Sequence, residues 1–180
     1  PVKQVTPPLI LGVLKKAAEK NGVSVMEEAK RTLFGIFELA AETFRVAAYN
    51  VENYLDQTTE TRRNVKSAEA KAKVRETILA MKPDVIAFEE MGELSALLEL
   101  RDSLKREGLD LPNYEHVGGW DTNIHVAVLS RFPIVACRSH TNESFLLGGR
   151  RFHVSRGFSE VDIKVNDKYQ FTLIGAHLKS

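Results

Sequence analysis

The chain has 180 residues, 43% hydrophobic and 27% charged, shares that are typical of one globular domain with at most a small appendage. Its 25 basic and 24 acidic residues leave a net charge of only +1, which excludes a strongly basic field as the means of attracting nucleic acid. The single cysteine, Cys137, excludes an internal disulfide, and no apolar run approaches the roughly 18 residues that suggest a membrane span.

Residues 1–43 are predicted to form a helical segment that is separate from the rest of the chain. Asn21-Gly22 is a strong stop signal after a first run with helical spacing, because both residue types accept the left-handed conformation at a helix end. Ser24 followed by Glu27 is a capping-box pattern, which begins a second helix. We therefore expect a helical hairpin with a short turn.

The order of elements in this segment, VKQVT, LKKAAEKNG and SVMEEAKRTL, resembles the ribbon-helix-helix DNA-binding module of antitoxin-type repressors. The resemblance implies a dimer that lays paired strands in the major groove. Basic and acidic side chains nearly cancel in the segment, so its charge does not favour DNA binding over a plain helical hairpin. A DNA-binding regulator built on residues 1–39 is the alternative function.

Residues 30–43 allow a second interpretation. Basic residues followed by TLFGIFELAAET are similar to a secretory signal with a small-residue cleavage site, although Glu38 interrupts the apolar core. The stretch is either the relic of a signal, which would place the protein outside the cytoplasm, or simply a helix. Localisation stays open.

Residues 44–56, FRVAAYNVENYLD, are predicted to form an apolar strand that ends in an acidic, amide-rich loop. Phe44, Val46 and Ala48 alternate with more polar neighbours at the two-residue period of a strand. By this parity Asn50 falls on the same face. An amide on an apolar face must find hydrogen-bond partners or cost stability, so Asn50 is a candidate site residue.

The next segment is predicted to alternate helices and strands. A helix is expected over residues 61–81, followed by the buried strand DVIAF and a helix over residues 94–104. The strand delivers Glu89-Glu90, and parity places Glu90 on the face of Ile86 and Phe88. A buried carboxylate without a partner is costly, so a cation is the expected partner of Glu90.

The chain after residue 120 is rich in strand signals. Five runs are expected to form strands: residues 125–129, 134–137, 152–154, 160–165 and 169–178. In the last run, His177 shares parity with Phe171, Leu173 and Gly175. Arg156 lies between two strands, beside a glycine that allows close backbone approach.

Five motifs in this order look like the first half of the endonuclease/exonuclease/phosphatase family. They are YNVENYLD, PDVIAFEEMGE, NIHVAVLSRFPI, SRGFSEVDI and FTLIGAHLKS. The resemblance covers about residues 44–180, and it implies a DNase-like two-sheet α/β sandwich with the active site at one rim. It also implies a Mg²⁺-dependent or Mn²⁺-dependent phosphoesterase acting on a phosphodiester, with nucleic acid among the candidate substrates.

The resemblance implies a role for individual residues of this sequence. Asn50 matches the asparagine that contacts the scissile phosphate and supports the metal site, and Glu90 matches the carboxylate that binds Mg²⁺. Glu89 stands where glutamine is usual. His177 matches the histidine that stabilises the developing phosphate charge. Arg156 matches a phosphate-contacting arginine of some nucleases.

The second-half motifs of this family are not in the sequence: it contains neither Gly-Asp-Phe-Asn nor an Asp-His pair. The sequence therefore predicts a helical segment at residues 1–43 and an incomplete DNase-like sandwich at residues 44–180. We expect a chain cut at both ends, and we expect residues 1–180 alone to be inactive. Neither the substrate nor the oligomeric state can be read from the sequence.

Overall fold

The computed structural model describes residues 43–178, which form two β-sheets, a separate two-stranded ribbon and two helices. The predicted helical hairpin, the ribbon-helix-helix likeness and the signal-like stretch fall on residues 1–42, outside the described range. Within that range, no helix has the length and apolar character needed to cross a membrane.

The elements follow one another in an order that alternates strands and helices first and then continues with strands alone. In chain order they are β1 (Val46–Tyr54), α1 (Ala68–Met81), β2 (Val85–Met91), α2 (Leu94–Arg106), β3 (Asn113–Val117), β4 (His125–Ser130), β5 (Ile134–Cys137), β6 (Ser144–Leu147), β7 (Arg150–His153), β8 (Ser159–Lys164) and β9 (Gln170–Gly175).

The first sheet has the strand order β1-β2-β4-β3, and its inner strands β2 and β4 are covered on both faces. β1 and β2 are parallel and are connected through α1, whereas the β2–β4 and β3–β4 pairs are antiparallel. On one face Ile86 and Phe88 pack in the cluster that includes Ile78 of α1 and Leu97 of α2. All six residues of β4 are buried, as expected for a strand covered on both sides.

The second sheet has the order β5-β8-β9 and is covered on one face only. Val161 and Ile163 of β8 pack against Val85 and Val128 of the first sheet, and these contacts join the two sheets. The alternate residues of β8 are only half-buried, which gives the two-residue burial pattern of a strand with one wet face. The predicted two-sheet α/β sandwich is confirmed.

Several element boundaries differ from the sequence prediction. β3 and β6 lie in stretches for which no strand was predicted. The helix expected from residue 61 begins only at Ala68, because the Ser67 hydroxyl caps it by accepting a hydrogen bond of 3.2 Å from the Ala70 N–H. Val65, which the predicted helix included, is exposed in the preceding loop.

Candidate functional site

Asn50 lies in β1, on the face that parity predicted, but the burial of that face was predicted wrongly. Val46 and Ala48, which share the face with Asn50, are exposed. Ala47 and Tyr49 point the other way and pack against the core beneath the helices. Asn50 therefore stands on an open face, where its amide is accessible to other groups.

Both the oxygen and the nitrogen of the Asn50 side-chain amide form hydrogen bonds. Its Oδ1 accepts a hydrogen bond of 2.9 Å from the backbone N–H of Glu52, which fixes the orientation of the side chain. Its Nδ2 donates to Glu90 Oε1 at 3.1 Å and lies 3.5 Å from Glu89 Oε2. One amide thus lies against two adjacent carboxylates.

The pairing of β1 with β2 becomes irregular at this point. Asn50 pairs with Glu89, but the next pair is Tyr54 with Met91, so β1 has three residues where β2 has only Glu90. Bulges of this kind bend a strand and re-aim its side chains, and they are frequent beside active sites.

The irregularity turns Glu90 towards Asn50, and here the sequence prediction was wrong about the face. Strict alternation would place Glu90 with Ile86 and Phe88 on the helix side of the sheet. Its φ of 60° breaks the alternation, and its Oε2 accepts a hydrogen bond of 3.2 Å from the Asn53 N–H. Parity could not reveal this, because parity assumes a regular strand.

Two residues of β1 share the strained conformation: Glu52 has a φ of 50° and Asn53 a φ of 54°. A residue other than glycine in such a region costs of order 1–3 kcal/mol and persists only where the surroundings enforce it. The hydrogen bonds from the Glu52 and Asn53 N–H groups to Asn50 and Glu90 supply part of that enforcement. These hydrogen bonds therefore hold the strained backbone in place and also position Asn50 and Glu90.

Tyr54 anchors the end of β1 in the core. Its ring is fully buried, and its hydroxyl donates to Glu99 Oε2 at 3.0 Å. Burial raises the pKa of Tyr54 far above its ordinary value, with the Glu99 charge adding to the effect, so the phenol stays protonated. Lys71 completes the arrangement with an ion pair to Glu99 at 3.1 Å.

His177 follows β9 directly and reaches the same place from the second sheet. Its Nε2 lies 3.6 Å from Glu90 Oε1, and its side chain is only 12% exposed. Its Nδ1 is buried and has no hydrogen-bond partner among the described residues. The approach requires glycine at position 175, where a Cβ would come within 2.5 Å of the Ser159 hydroxyl.

Asn50, Glu90 and His177 thus form one group, which we call the rim cluster. It brings together the ends of β1, β2 and β9 from both sheets. A cavity of about 290 Å³, lined in part by Glu89 and Gly175, opens between the sheets beside it. The sequence prediction named all three residues; it left out Glu89 as a ligand, although Glu89 also approaches Asn50.

Arg156 occupies a different environment. Its Nη2 lies 3.5 Å from Asp121 Oδ2, and no contact in the described range links it to the rim cluster. The adjacent glycine has the role that the sequence indicated, because a Cβ on Gly157 would overlap the carbonyl oxygen of Gly118. The phosphate-binding role of Arg156 remains a prediction.

Asp121 is held as a carboxylate beside Arg156. Burial would raise its pKa, but hydrogen bonds from Asn123 and the Arg156 charge outweigh burial and lower the pKa below its ordinary value. The Asn123 N–H donates to Asp121 Oδ1 at 2.9 Å. Asp121, in the loop before β4, is thus a carboxylate paired with Arg156 of the connection between β7 and β8.

The comparisons with known proteins agree with this architecture. A sphingomyelinase C from Streptomyces griseocarneus matches with a TM-score of 0.53 and 18% identity, over 76% of this chain and 49% of that protein. An endonuclease/exonuclease/phosphatase family protein from Leptotrichia buccalis matches with a TM-score of 0.52 and 18% identity, over 76% and 54%. The fold is DNase I-like.

A β-hairpin deletion mutant of beta toxin from Staphylococcus aureus shares this DNase I-like fold, with a TM-score of 0.52 and 18% identity over 77% of this chain and 52% of that one. The chain therefore spans about half the length of these structures. No protein-family model matches the sequence, and the search of curated proteins found no similar protein.

Sequence reasoning missed a second polar group on the DNase I-like sandwich, at the start of β4. His125 is buried, lies 3.6 Å from Glu93 through its Nε2, and packs its ring 4.7 Å from that of His116. Burial lowers the pKa of His125, and the nearby His116 lowers it further, against the opposing charge of Glu93. The sequence did contain a signal for this group, because HVAVLS is an otherwise apolar strand that begins with a histidine.

Proposed function

We propose that this protein is a metal-dependent phosphoesterase that hydrolyses phosphodiester bonds, with the rim cluster as part of its active site. The observation that carries the proposal is the convergence of an amide, a carboxylate and an imidazole around Glu90 Oε1, at 3.1 Å from Asn50 Nδ2 and 3.6 Å from His177 Nε2. The three groups are the ones that the family resemblance implies.

The charge of the cluster favours a cation. Glu89 and Glu90 are adjacent and half-buried, and no lysine or arginine in the described range forms an ion pair with either. Among residues 43–178, His177 is the one basic side chain that forms an ion pair with Glu90, at 3.6 Å, and it can do so only when the imidazole is protonated. Two carboxylates that are partly removed from water and lack a fixed positive partner are stabilised by a bound cation.

The donor set fits Mg²⁺, or Mn²⁺ in its place. Carboxylate oxygens are hard ligands, and Mg²⁺ commonly binds to one or two of them while keeping several waters. No group of three or more His, Cys, Asp or Glu side chains placed to bind a metal occurs among residues 43–178. Glu90, with Glu89 beside it, would hold the cation, which when bound would supply charge for a phosphoryl oxygen.

The other residues of the cluster have distinct tasks. The Asn50 amide holds Glu90 in place and offers an N–H to a phosphate oxygen. His177 would stabilise the charge that develops on the phosphoryl oxygens, as preorganised donors do in a partly dry site. Its buried Nδ1 is without a hydrogen-bond partner in the described part of the chain.

A water-activating group is the part that this sequence does not provide. In the family that the chain resembles, a Gly-Asp-Phe-Asn motif and an Asp-His pair take this role, and neither is present in the 180 residues. General-base catalysis is worth roughly 10²–10⁴-fold in rate. We therefore propose that hydrolysis by residues 1–180 alone stays near the uncatalysed background.

The metal part of the proposal is tested by titrating the chain with Mn²⁺ and following the free ion by electron paramagnetic resonance. Glu90→Gln should weaken Mn²⁺ binding at least about tenfold, since it removes the charged ligand. Its free energy of unfolding should change by less than about 1 kcal/mol. The matched control is Glu76→Gln, which neutralises an exposed carboxylate paired with Lys73 on α1. Equal Mn²⁺ affinity in all three proteins would contradict the assignment.

The catalytic part is tested in a chain joined to a segment that carries the two missing motifs. Mg²⁺-dependent hydrolysis of bis(p-nitrophenyl) phosphate should appear in the joined protein, and His177→Ala should lower its turnover by roughly 10²-fold. If His177→Ala lowers only the unfolding midpoint and leaves turnover intact, the histidine is structural.

A further inference from the structure

The loop between β1 and α1 forms a basic pocket next to the rim cluster. The pocket has a volume of about 400 Å³, and its walls include Glu52 and Asn53 of β1 and the loop from residue 61 to Ser67. Asn53 belongs to both places: it lines the pocket, and its N–H donates to Glu90 Oε2 at 3.2 Å. A group bound in the pocket would therefore be a near neighbour of a group bound at Glu90.

The pocket has an excess of positive charge. Arg62, Arg63 and Lys66 line it, against the single carboxylate of Glu52. In the described range none of these three cations forms an ion pair. Other basic side chains there do, among them Lys71, Arg75, Arg131 and Arg138. The Nε of Arg62 is buried without a hydrogen-bond partner among the described residues. A guanidinium that is partly desolvated and unsatisfied favours an anion beside it.

The loop that carries these cations is held in shape before any ligand binds. The Thr59 N–H donates to the Arg62 carbonyl at 2.8 Å, and the Arg62 N–H donates to the Thr59 hydroxyl at 3.1 Å. The Thr61 N–H reaches Asn123 Oδ1 at 3.4 Å and ties the loop to the main body. Binding would therefore cost little ordering of the backbone.

The start of α1 adds to the same field. Ser67 caps this helix of 14 residues, and both Ser67 and Ala70 line the pocket. The N-terminal end of a helix carries a partial positive charge that favours anions within its first turn. The three cations and the helix end therefore act on one volume.

We propose that this pocket binds a second phosphate of the substrate while the first lies at the rim cluster. The proposal rests on the proposed function and narrows it to substrates with phosphates repeated along one chain, such as single-stranded nucleic acid. A substrate whose group next to the scissile phosphate is cationic would be repelled by Arg62, Arg63 and Lys66. An arginine fork and a lysine point charge are the side chains that recognise phosphate.

The test measures binding without hydrolysis. The probe is fluorescein-labelled hexathymidylate, a short single strand that does not pair with itself. It is titrated with the 180-residue chain in EDTA, and binding is followed by fluorescence anisotropy. Arg62→Ala/Arg63→Ala should weaken binding about tenfold. The slope of log affinity against log salt should become shallower by about 1.4, at roughly 0.7 per lost phosphate contact on a single strand.

The matched control removes two positive charges outside the pocket. Lys73→Ala/Arg150→Ala changes the net charge equally, since Lys73 lies on the exposed side of α1 and Arg150 at the start of β7. This control should bind within twofold of the unchanged chain. Unlabelled tripolyphosphate should displace the strand from the unchanged chain at concentrations where orthophosphate does not, because linked phosphates can occupy the pocket and the rim cluster together. Urea unfolding of each variant checks that all of them fold.

Two results would overturn the proposal. Equal weakening in the pocket variant and the control would show that affinity follows net charge alone, and unchanged affinity in the pocket variant would show that the phosphates bind elsewhere. A parallel Mn²⁺ titration of the unchanged chain and Glu90→Gln separates this proposal from the proposed function, because the strand is measured in EDTA and its binding in the pocket needs no metal. A chain that binds the strand through the pocket but shows no Glu90-dependent metal would refute the phosphoesterase and leave the pocket standing.

Discussion

The interior of β2 and its end differ in almost every respect, although they belong to one strand of seven residues. Val85, Ile86 and Phe88 are completely buried and pair regularly with β1 and β4. Glu89 and Glu90 are half-buried, the pairing shifts, and Glu90 has a φ of 60°. Regular pairing in the interior provides the rigid frame, and the irregular end uses that frame to hold polar groups in positions that a regular strand does not allow.

The two sheets also differ, in how much of each is exposed to water. β4 is buried along its whole length, so its sequence, HVAVLS, is nearly continuous in apolar character. The second sheet faces water on one side, where Arg138 bridges Glu160 at 2.6 Å and Asp162 at 2.7 Å. Hydrogen bonds from Arg138 and then Thr172 lower the pKa of Asp162 to about 2. The outer surface is polar and solvated, and the rim between the sheets is where the candidate site lies.

The largest effect is expected in the interior of β2. Phe88→Ala should lower the free energy of unfolding by about 3–5 kcal/mol, because it removes a fully buried ring from the centre of the core. Urea unfolding followed by circular dichroism measures the loss. Under conditions where Phe88→Ala is still folded, its Mn²⁺ affinity should match that of the unchanged chain. If folded Phe88→Ala binds Mn²⁺ more weakly than the unchanged chain, the interior of β2 contributes to the metal site, and the contrast between the interior and the end of the strand does not hold.

A smaller effect is expected in the strained part of β1. Glu52 is exposed and has a φ of 50°, a conformation that glycine adopts freely and a β-branched residue does not. Glu52→Val should destabilise the protein by about 1–2 kcal/mol, whereas Glu52→Gly should change stability by less than about 0.5 kcal/mol. Thermal unfolding of the two variants decides the matter. Equal stability of valine and glycine at this position would mean that the backbone strain is absent in solution.

The smallest effect is expected at His125, and it depends on pH. Because the folded state lowers the pKa of His125, the neutral imidazole stabilises the fold above the unfolded value of about 6.5. This contribution should be lost as the pH falls below that value, since the unfolded chain then binds the proton more readily. Glu93, His116 and Asp121 are the charged groups that act on His125.

Unfolding of the chain and of His125→Gln should therefore be compared at pH 7.5 and pH 5.5. The unchanged chain should lose more stability than the variant over this interval. An equal loss in both proteins would place the acid sensitivity elsewhere.

The sequence predicted the frame of the fold better than its details. The continuous run DVIAF identified a strand covered on both faces, and the run at residues 160–165 identified β8 as a strand. β3 was missed, because NYEHV is mostly polar and has no apolar run. The start of α1 was misplaced, because residues with helical spacing continue upstream of Ser67, where the cap ends the helix.

The candidate site was predictable by residue but not by geometry. Asn50 and His177 were chosen on strand parity; Asn50 lies in the regular part of β1, and His177 lies two residues beyond the end of β9. Glu90 was identified on a parity argument that placed it on the wrong face, because a positive φ at a glutamate leaves no mark in the sequence. The contacts of Arg156 with Asp121, and the proximity of Glu89 to Asn50, depend on long-range packing that no local pattern contains.

The most direct test of the rim cluster is to map a bound cation by nuclear magnetic resonance. Mn²⁺ added in substoichiometric amounts to the isotopically labelled chain broadens the signals of nuclei near it. The backbone amides of Asn50, Asn53 and Glu90 and the imidazole of His177 should broaden first, because β1, β2 and β9 bring them to one place. The amides of the β6–β7 ribbon should stay sharp. Broadening centred on Glu93 and Asp121 instead, or no selective broadening at all, would contradict the account.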